Sequence, residues 1–296
     1  MLHTRLLAFL ALVMLPATAP GHNDVSKTIK TLSAKIEESP SADLYYQRAT
    51  EFRALREKEH AIEDLRSALK HEPRHRPAKI SLIRALGKST EALHLAIQLQ
   101  SSSAHAENSI EPTYLVAKIH HLRGNPKDAL TICANLQKLS RNHSTEIDLL
   151  HAEVLLALKR PADASTILKN AWRRTNSIVL RNNWIDTALT AEQTREILPI
   201  INREISSSRF RSSWLIRRAR AALIHDNKKQ AHSDLQAALA ELTMRIRPTR
   251  PDLSLIADRG LIHALIGNTK KAKADLALLK KSILPPSSYR LLTDTL

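Results

Sequence analysis

Five consecutive residues, His71-Glu72-Pro73-Arg74-His75, match the H-E-x-x-H pattern of zinc hydrolases. In that chemistry a continuous helix sets two histidines one turn apart on one face, where both reach the metal. The glutamate between them serves as general base. Pro73 falls in the middle of that turn. It has no N–H to donate and its ring meets the carbonyl four residues back, so a helix through it costs about 3 kcal/mol. The residue types suit zinc but the backbone they demand does not form readily, and no catalytic metal is expected here.

Other chemistry-bearing residues are isolated. The chain has only five glycines, so a Gly-rich phosphate loop has no material to be built from, and no G-x-S-x-G elbow occurs. The single cysteine, Cys133, can form no internal disulfide and reads as a small buried apolar residue. The expectation is a chain without catalytic, cofactor or metal residues.

A different chemistry concentrates in residues 172–220. All three tryptophans, Trp172, Trp184 and Trp214, lie there among ten arginines and four acids, Asp186, Glu192, Glu196 and Glu204. The formal charge of the chain is +16, and this segment holds a large part of it, whereas residues 42–73 mix acids and bases almost evenly. Guanidinium pairs bidentately with carboxylate or phosphate and stacks on aromatic faces, so the segment suits an acidic peptide or a polyanion. The blander reading has the tryptophans filling helix crossings and the arginines solvated.

Helices must position these groups. Aromatic residues and glycine are scarce, and Ala, Leu and Ile dominate the apolar set, which is the composition of stacked helices rather than of sheets. Residues 1–21 read as an export leader, with basic Arg5, an apolar run from Leu6 to Leu15 and the small-residue exit Ala17-Thr18-Ala19. No later apolar stretch is long enough to span a bilayer. An exported chain, periplasmic or extracellular, is expected.

Five segments share one frame: 42–75, 110–143, 145–178, 212–245 and 253–286. Position 8 is Ala49, Ala117, Ala152, Ala219 and Gly260. Position 20 is Ala61, Ala129, Ala164, Ala231 and Ala272, and position 24 is Leu65, Cys133, Leu168, Leu235 and Leu276. Position 27 is Ala68, Leu136, Ala171, Ala238 and Leu279. Small residues fall where two helices cross closely, with larger apolar ones one turn along the same face. Two looser units, near 77–107 and 179–208, fill the remaining gaps. Ile29, Leu32 and Ile36 mark a helix before the array, and residues 287–296 a closing helix after it.

This pattern resembles the tetratricopeptide repeat, a helix–turn–helix unit. In the 42–75 copy Tyr45, Ala49, Phe52, Ala61, Leu65, Ala68 and Pro73 occupy the family's signature positions, while Arg48 departs from its expected leucine. The resemblance implies an all-α, right-handed α-solenoid of about seven repeats over 25–296, with capping helices at both ends. It also makes Pro73 the repeat-ending proline, so that His71 closes one helix and His75 begins the link to the next.

In this family the first helix of each repeat lines a concave groove, mainly through positions 5, 9 and 12. Here these are Tyr46, Thr50 and Arg53; Tyr114, Lys118 and His121; Leu149, Glu153 and Leu156; and Ile216, Arg220 and Leu223. Arg217, Arg211 and Trp214 surround Arg220, and the 212–245 copy is expected to carry most of the affinity. The Lys/Asn clamp of chaperone-binding relatives is not reproduced. What the resemblance implies is a non-catalytic scaffold that binds an acidic protein or peptide in its groove. The alternative is an anionic polymer, whether acidic glycan, lipopolysaccharide or nucleic acid, held by 172–220.

Overall fold

The computed structural model describes residues 20–102, 106–139, 144–247, 249, 251–280 and 288–296. The leader expected over 1–21 falls almost wholly outside them. Among the described residues every regular element is a helix, and the chain divides into two compact units, Met1–Arg141 and Asn142–Leu296.

The first unit opens with α1 (Pro20–Glu38), followed by three hairpins. These are α2 (Ala42–Ala54) with α3 (Lys58–His71), α4 (Arg76–Leu86) with α5 (Thr90–Ser101), and α6 (Ala106–Leu122) with α7 (Pro126–Leu139). The second unit has four hairpins: α8 (Thr145–Ala157) with α9 (Pro161–Thr175), α10 (Ile178–Thr190) with α11 (Leu198–Ser207), α12 (Ser212–Ile224) with α13 (Lys228–Arg245), and α14 (Leu253–Leu265) with α15 (Thr269–Leu279). It closes with α16 (Ser288–Thr295). Within each unit the helices pack chiefly on their neighbours in sequence, the pattern of an all-α solenoid.

The core sits where the frame puts it. The residues at positions 8, 20, 24 and 27 are buried in all five copies, apart from half-buried Leu276. The α10–α11 unit keeps the same frame with larger residues, Ile185, Ile197 and Ile201, all fully buried. Helix starts are set by short polar side chains. Ser41, Ser89, Ser144 and Ser177 accept from the amides of Leu44, Ala92, Ile147 and Leu180, each satisfying a donor the helix itself leaves unpaired.

The turn inside each hairpin repeats as well. At position 15 the backbone is left-handed in six of the seven hairpins: Arg56, Gly124, Lys159, Glu192, Asp226 and Gly267, with φ between 53° and 81°. The next amide then reaches back to a carbonyl five residues earlier, as from Glu57 to Phe52 and from Asn268 to His263. In the shortened α4–α5 turn Gly87 also has a positive φ, 62°, but with ψ −119° it caps α4 through a different backbone. Glycine adopts this conformation freely, and the four others accept a local cost because the hairpin needs the reversal there.

At the end of the second unit, Gly260 lets the closing helix in. A side chain there would meet Leu292 Cδ2 at 2.8 Å, and Leu292 is fully buried against α14.

Candidate partner-binding faces

The 71–75 stretch is split between elements. His71 ends α3 and its ring stacks on Tyr45, with centroids 5.4 Å apart. Glu72 is extended backbone at φ −138°, and His75 is the N-cap of α4. His75 Nδ1 accepts the Ala78 amide at 3.1 Å, and Nε2 lies 3.0 Å from Asp43. The two histidines therefore share no helix face, and both nitrogens of the second are engaged. Cys133 is buried, and burial pushes its thiol up to about 12, far from the reactive thiolate range.

The tryptophans of 172–220 lie largely inside. Trp172 and Trp184 stack at 4.9 Å and 16°, joining α9 to α10, and Trp184 is 3% exposed. Trp214 is 7% exposed, with the guanidiniums of Arg217 and Arg181 at 4.9 and 5.6 Å from its ring centre. The protein's own arginines thus cover the ring that a ligand would stack on.

The arginines are largely committed too. Arg173 lies 3.9 Å from Glu196, Arg174 2.6 Å from Asp148 and Arg181 2.9 Å from Glu204. Arg218 makes a bidentate pair with Asp234 across its own hairpin, at 2.8 and 2.7 Å. Arg217 and Arg220 converge on one carboxylate, Asp186 of α10, at 2.7 and 3.1 Å. Burial pushes the Arg220 guanidinium below its ordinary value, and neighbouring Arg217 adds to that, while Asp186 opposes it. Among the described residues, Arg195, Arg203, Arg209 and Arg211 have no carboxylate partner.

Around Arg217 and Arg220 lies a cavity of about 230 Å³, walled by α10, α12, α14 and α16. Its inner acid, Asp258, accepts from the Ser288 hydroxyl of the closing helix. Burial pushes the Asp258 carboxyl above its ordinary value, against the pull of that hydroxyl and of Arg217. The site holds a balanced set of opposite charges that satisfy one another. Such a set locks three helices together and leaves little for an incoming anion.

The first unit differs. Tyr46 and Tyr114, each at position 5, are half-buried with part of their surface open. Arg53, at position 12 of α2, is exposed, as is Lys118, at position 9 of α6. Neither has a carboxylate partner among the described residues; the Lys118 ammonium lies 5.7 Å from the Tyr114 ring centre. His121, at position 12, is half-buried with Nδ1 unbonded. Between them on α4, Arg84 is paired with Glu111 of α6 at 2.9 Å.

The comparisons with known proteins bear on the fold. No protein-family model and no curated protein matches this sequence. Among solved structures, a tetratricopeptide repeat protein from Parabacteroides merdae aligns over 91% of this chain and 98% of its own, with 17% identity and a TM-score of 0.58. The chain has the tetratricopeptide-repeat fold. Two further structures align at a TM-score of 0.30, which adds nothing to that assignment. Naa15/Naa10 bound to HypK-THB has 11% identity over 87% of this chain and 56% of that one; BtubC from P. vanneervenii has 15% identity over 90% and 93%.

With the tetratricopeptide frame in place, the residues singled out in the sequence fall into two groups. Tyr46, Arg53, Tyr114, Lys118 and His121 sit in the first unit with open surface or unmatched hydrogen-bonding capacity. Arg217, Arg220 and Trp214 sit in the second and are engaged with one another and with Asp186. Arg211 stands apart as the exposed N-cap of α12, its amide donating to Glu241 at 2.8 Å. Sequence reasoning missed Asp186 and Asp258 as functional neighbours, although Asp186 stands at position 9 of its own hairpin, the same place as Arg220.

Proposed function

We propose that this chain is a non-catalytic scaffold of an exported compartment that binds an acidic protein segment on the concave face of its N-terminal unit. The observation that carries the reading is the pair of cations Arg53 and Lys118. Both are exposed at groove positions with no carboxylate partner among the described residues, each on the same helix as a half-buried tyrosine, Tyr46 or Tyr114. Tyrosine supplies broad contact area at low entropic cost, and an unpartnered cation meets an acidic ligand without first breaking an ion pair. The leader-like residues 1–21 are what supports export.

The test is a titration of the full chain with a fluorescein-labelled peptide of alternating glutamate and leucine, against its glutamine counterpart. The acidic peptide binds and the glutamine one does not, and the difference shrinks as salt rises because the cations are screened. Equal binding of both peptides, or of neither, contradicts the reading. Amino-terminal sequencing of the chain recovered outside the cytoplasm tests the export part: the leader is absent if the proposal holds and intact if it fails.

A further inference from the structure

Two of the four arginines of 172–220 without a carboxylate partner among the described residues lie side by side. Arg209 and Arg211 flank Phe210 in the link from α11 to α12, and that link is tied to the last turns of α13. Glu241 accepts the amides of Arg211 and Ser212 at 2.8 and 3.2 Å and the Arg245 guanidinium at 3.0 Å. Arg245 lies over the Phe210 ring at 4.1 Å and Arg209 at 5.2 Å. Beside Arg245, Met244 is 82% exposed, and Phe210 is 48% exposed. Arg247 follows, also exposed. The patch thus holds four arginines and one carboxylate, and two large apolar side chains project from among the cations.

We infer that this patch docks the protein on an anionic lipid surface. Three classes of anion could answer the charge. A single-stranded nucleic acid would need an open aromatic face to stack on, and the Phe210 ring already engages two guanidiniums. An acidic peptide could neutralise the arginines, but it need not supply the continuous apolar layer that side chains as exposed as Met244 and Phe210 can enter. A membrane offers phosphate and hydrocarbon side by side. Arginine reaches headgroup phosphates while its stem lies along the boundary, and Phe210 and Met244 enter the acyl edge. The apolar tips are too few to hold the chain alone, so attachment depends on the anionic headgroups and is reversible.

The experiment is co-sedimentation of the full chain with vesicles of phosphatidylcholine, and of phosphatidylcholine with a minor fraction of phosphatidylglycerol. The chain sediments with the mixed vesicles only, and added salt releases it. R209Q/R211Q/R247Q weakens binding by about a hundredfold, at roughly fivefold per surface cation. M244S alone, a change at a side chain that supports no packing, weakens it by about threefold from the lost apolar burial, and F210S/M244S by about tenfold. Circular dichroism confirms that each variant keeps its helices. Binding that is indifferent to M244S and F210S/M244S, or that heparin abolishes while the lipid composition makes no difference, overturns the proposal in favour of a soluble polyanion. Equal binding to both vesicles overturns it as well.

Discussion

Arg48 and Asp64 clasp each other across the first hairpin, the guanidinium Nε and Nη2 donating to the two carboxylate oxygens at 2.8 and 2.7 Å. The same pair, at positions 7 and 23, recurs as Arg218–Asp234 and Arg259–Asp275. Where position 7 is Val116, position 23 is Ile132, so the same crossing can be filled by an ion pair or by an apolar pair. Each aspartate is buried and each arginine partly solvated. Arg48→Val strands a buried carboxylate and should cost about 3 kcal/mol in urea unfolding, whereas Arg48→Val with Asp64→Ile should return most of that loss. A double variant as unstable as the single would show that the pair is more than an exchangeable clasp.

The left-handed turns make a second prediction. Glu192→Gly and Asp226→Gly relieve a strained backbone at φ 59° and 53°, and each should stabilise by about 0.5–1 kcal/mol. Gly124→Ala and Gly267→Ala impose that strain at φ 80° and 81°, and each should destabilise by about 1 kcal/mol, although no atom lies close enough to a new Cβ to clash. Chemical denaturation reads both. Matching signs in the two sets would refute the turn argument.

How far the sequence shows the fold depends on which residue a position required. Ala61, Ala129 and Ala164 announce the crossings because only a small residue lets two helices approach that closely. The α10–α11 unit was harder to see because Ile185, Ile197 and Ile201 fill the same crossings with larger side chains. The turns were visible at Gly124 and Gly267 and invisible at Lys159 and Glu192, since a charged side chain in the left-handed region carries no compositional mark. The candidate site was legible only as a set of groove positions. Whether an arginine at such a position is free depends on an acid one repeat away, as Arg220 depends on Asp186, and the frame of a single repeat does not contain that information. Arg48 was visible as a departure from the family's leucine, while its partner sixteen residues on gave the departure its reason.

Asp186 should matter more than either arginine it holds. Asp186→Asn leaves Arg217 and Arg220 side by side with their shared counter-charge gone, a cost of about 2–3 kcal/mol. Arg220→Gln leaves Asp186 still paired with Arg217 and should cost about 1 kcal/mol. Thermal unfolding of the two variants ranks them, and the reverse order would contradict the cluster as described.

Acid should weaken the second unit through His151 and His263. Burial lowers both, helped by Arg160 at His151; at His263 Asp275 opposes the shift while Lys271 and Arg259 favour it. Because each folded value lies below the ordinary 6.5, the unfolded chain takes up these protons first as pH falls. Their contribution is complete above about pH 6.5 and is lost below it, with a slope of at most about 1.4 kcal/mol per pH unit for each group. His151 stands at position 7, where three other copies have Arg48, Arg218 and Arg259, but Ile167 is at position 23 and supplies no acid. His151→Leu should therefore flatten stability between pH 7 and pH 5. An unchanged slope would remove His151 from this account.

The central claim is that the N-terminal unit, rather than the Arg-rich one, carries the partner. Hydrogen exchange of the full chain, with and without the alternating glutamate–leucine peptide, locates the contact directly. The account predicts slowed exchange in α2 and α6, abolished in Arg53→Glu/Lys118→Glu, with α10, α12 and α14 unchanged. Protection confined to α10, α12 and α14, and surviving that double reversal, would contradict it.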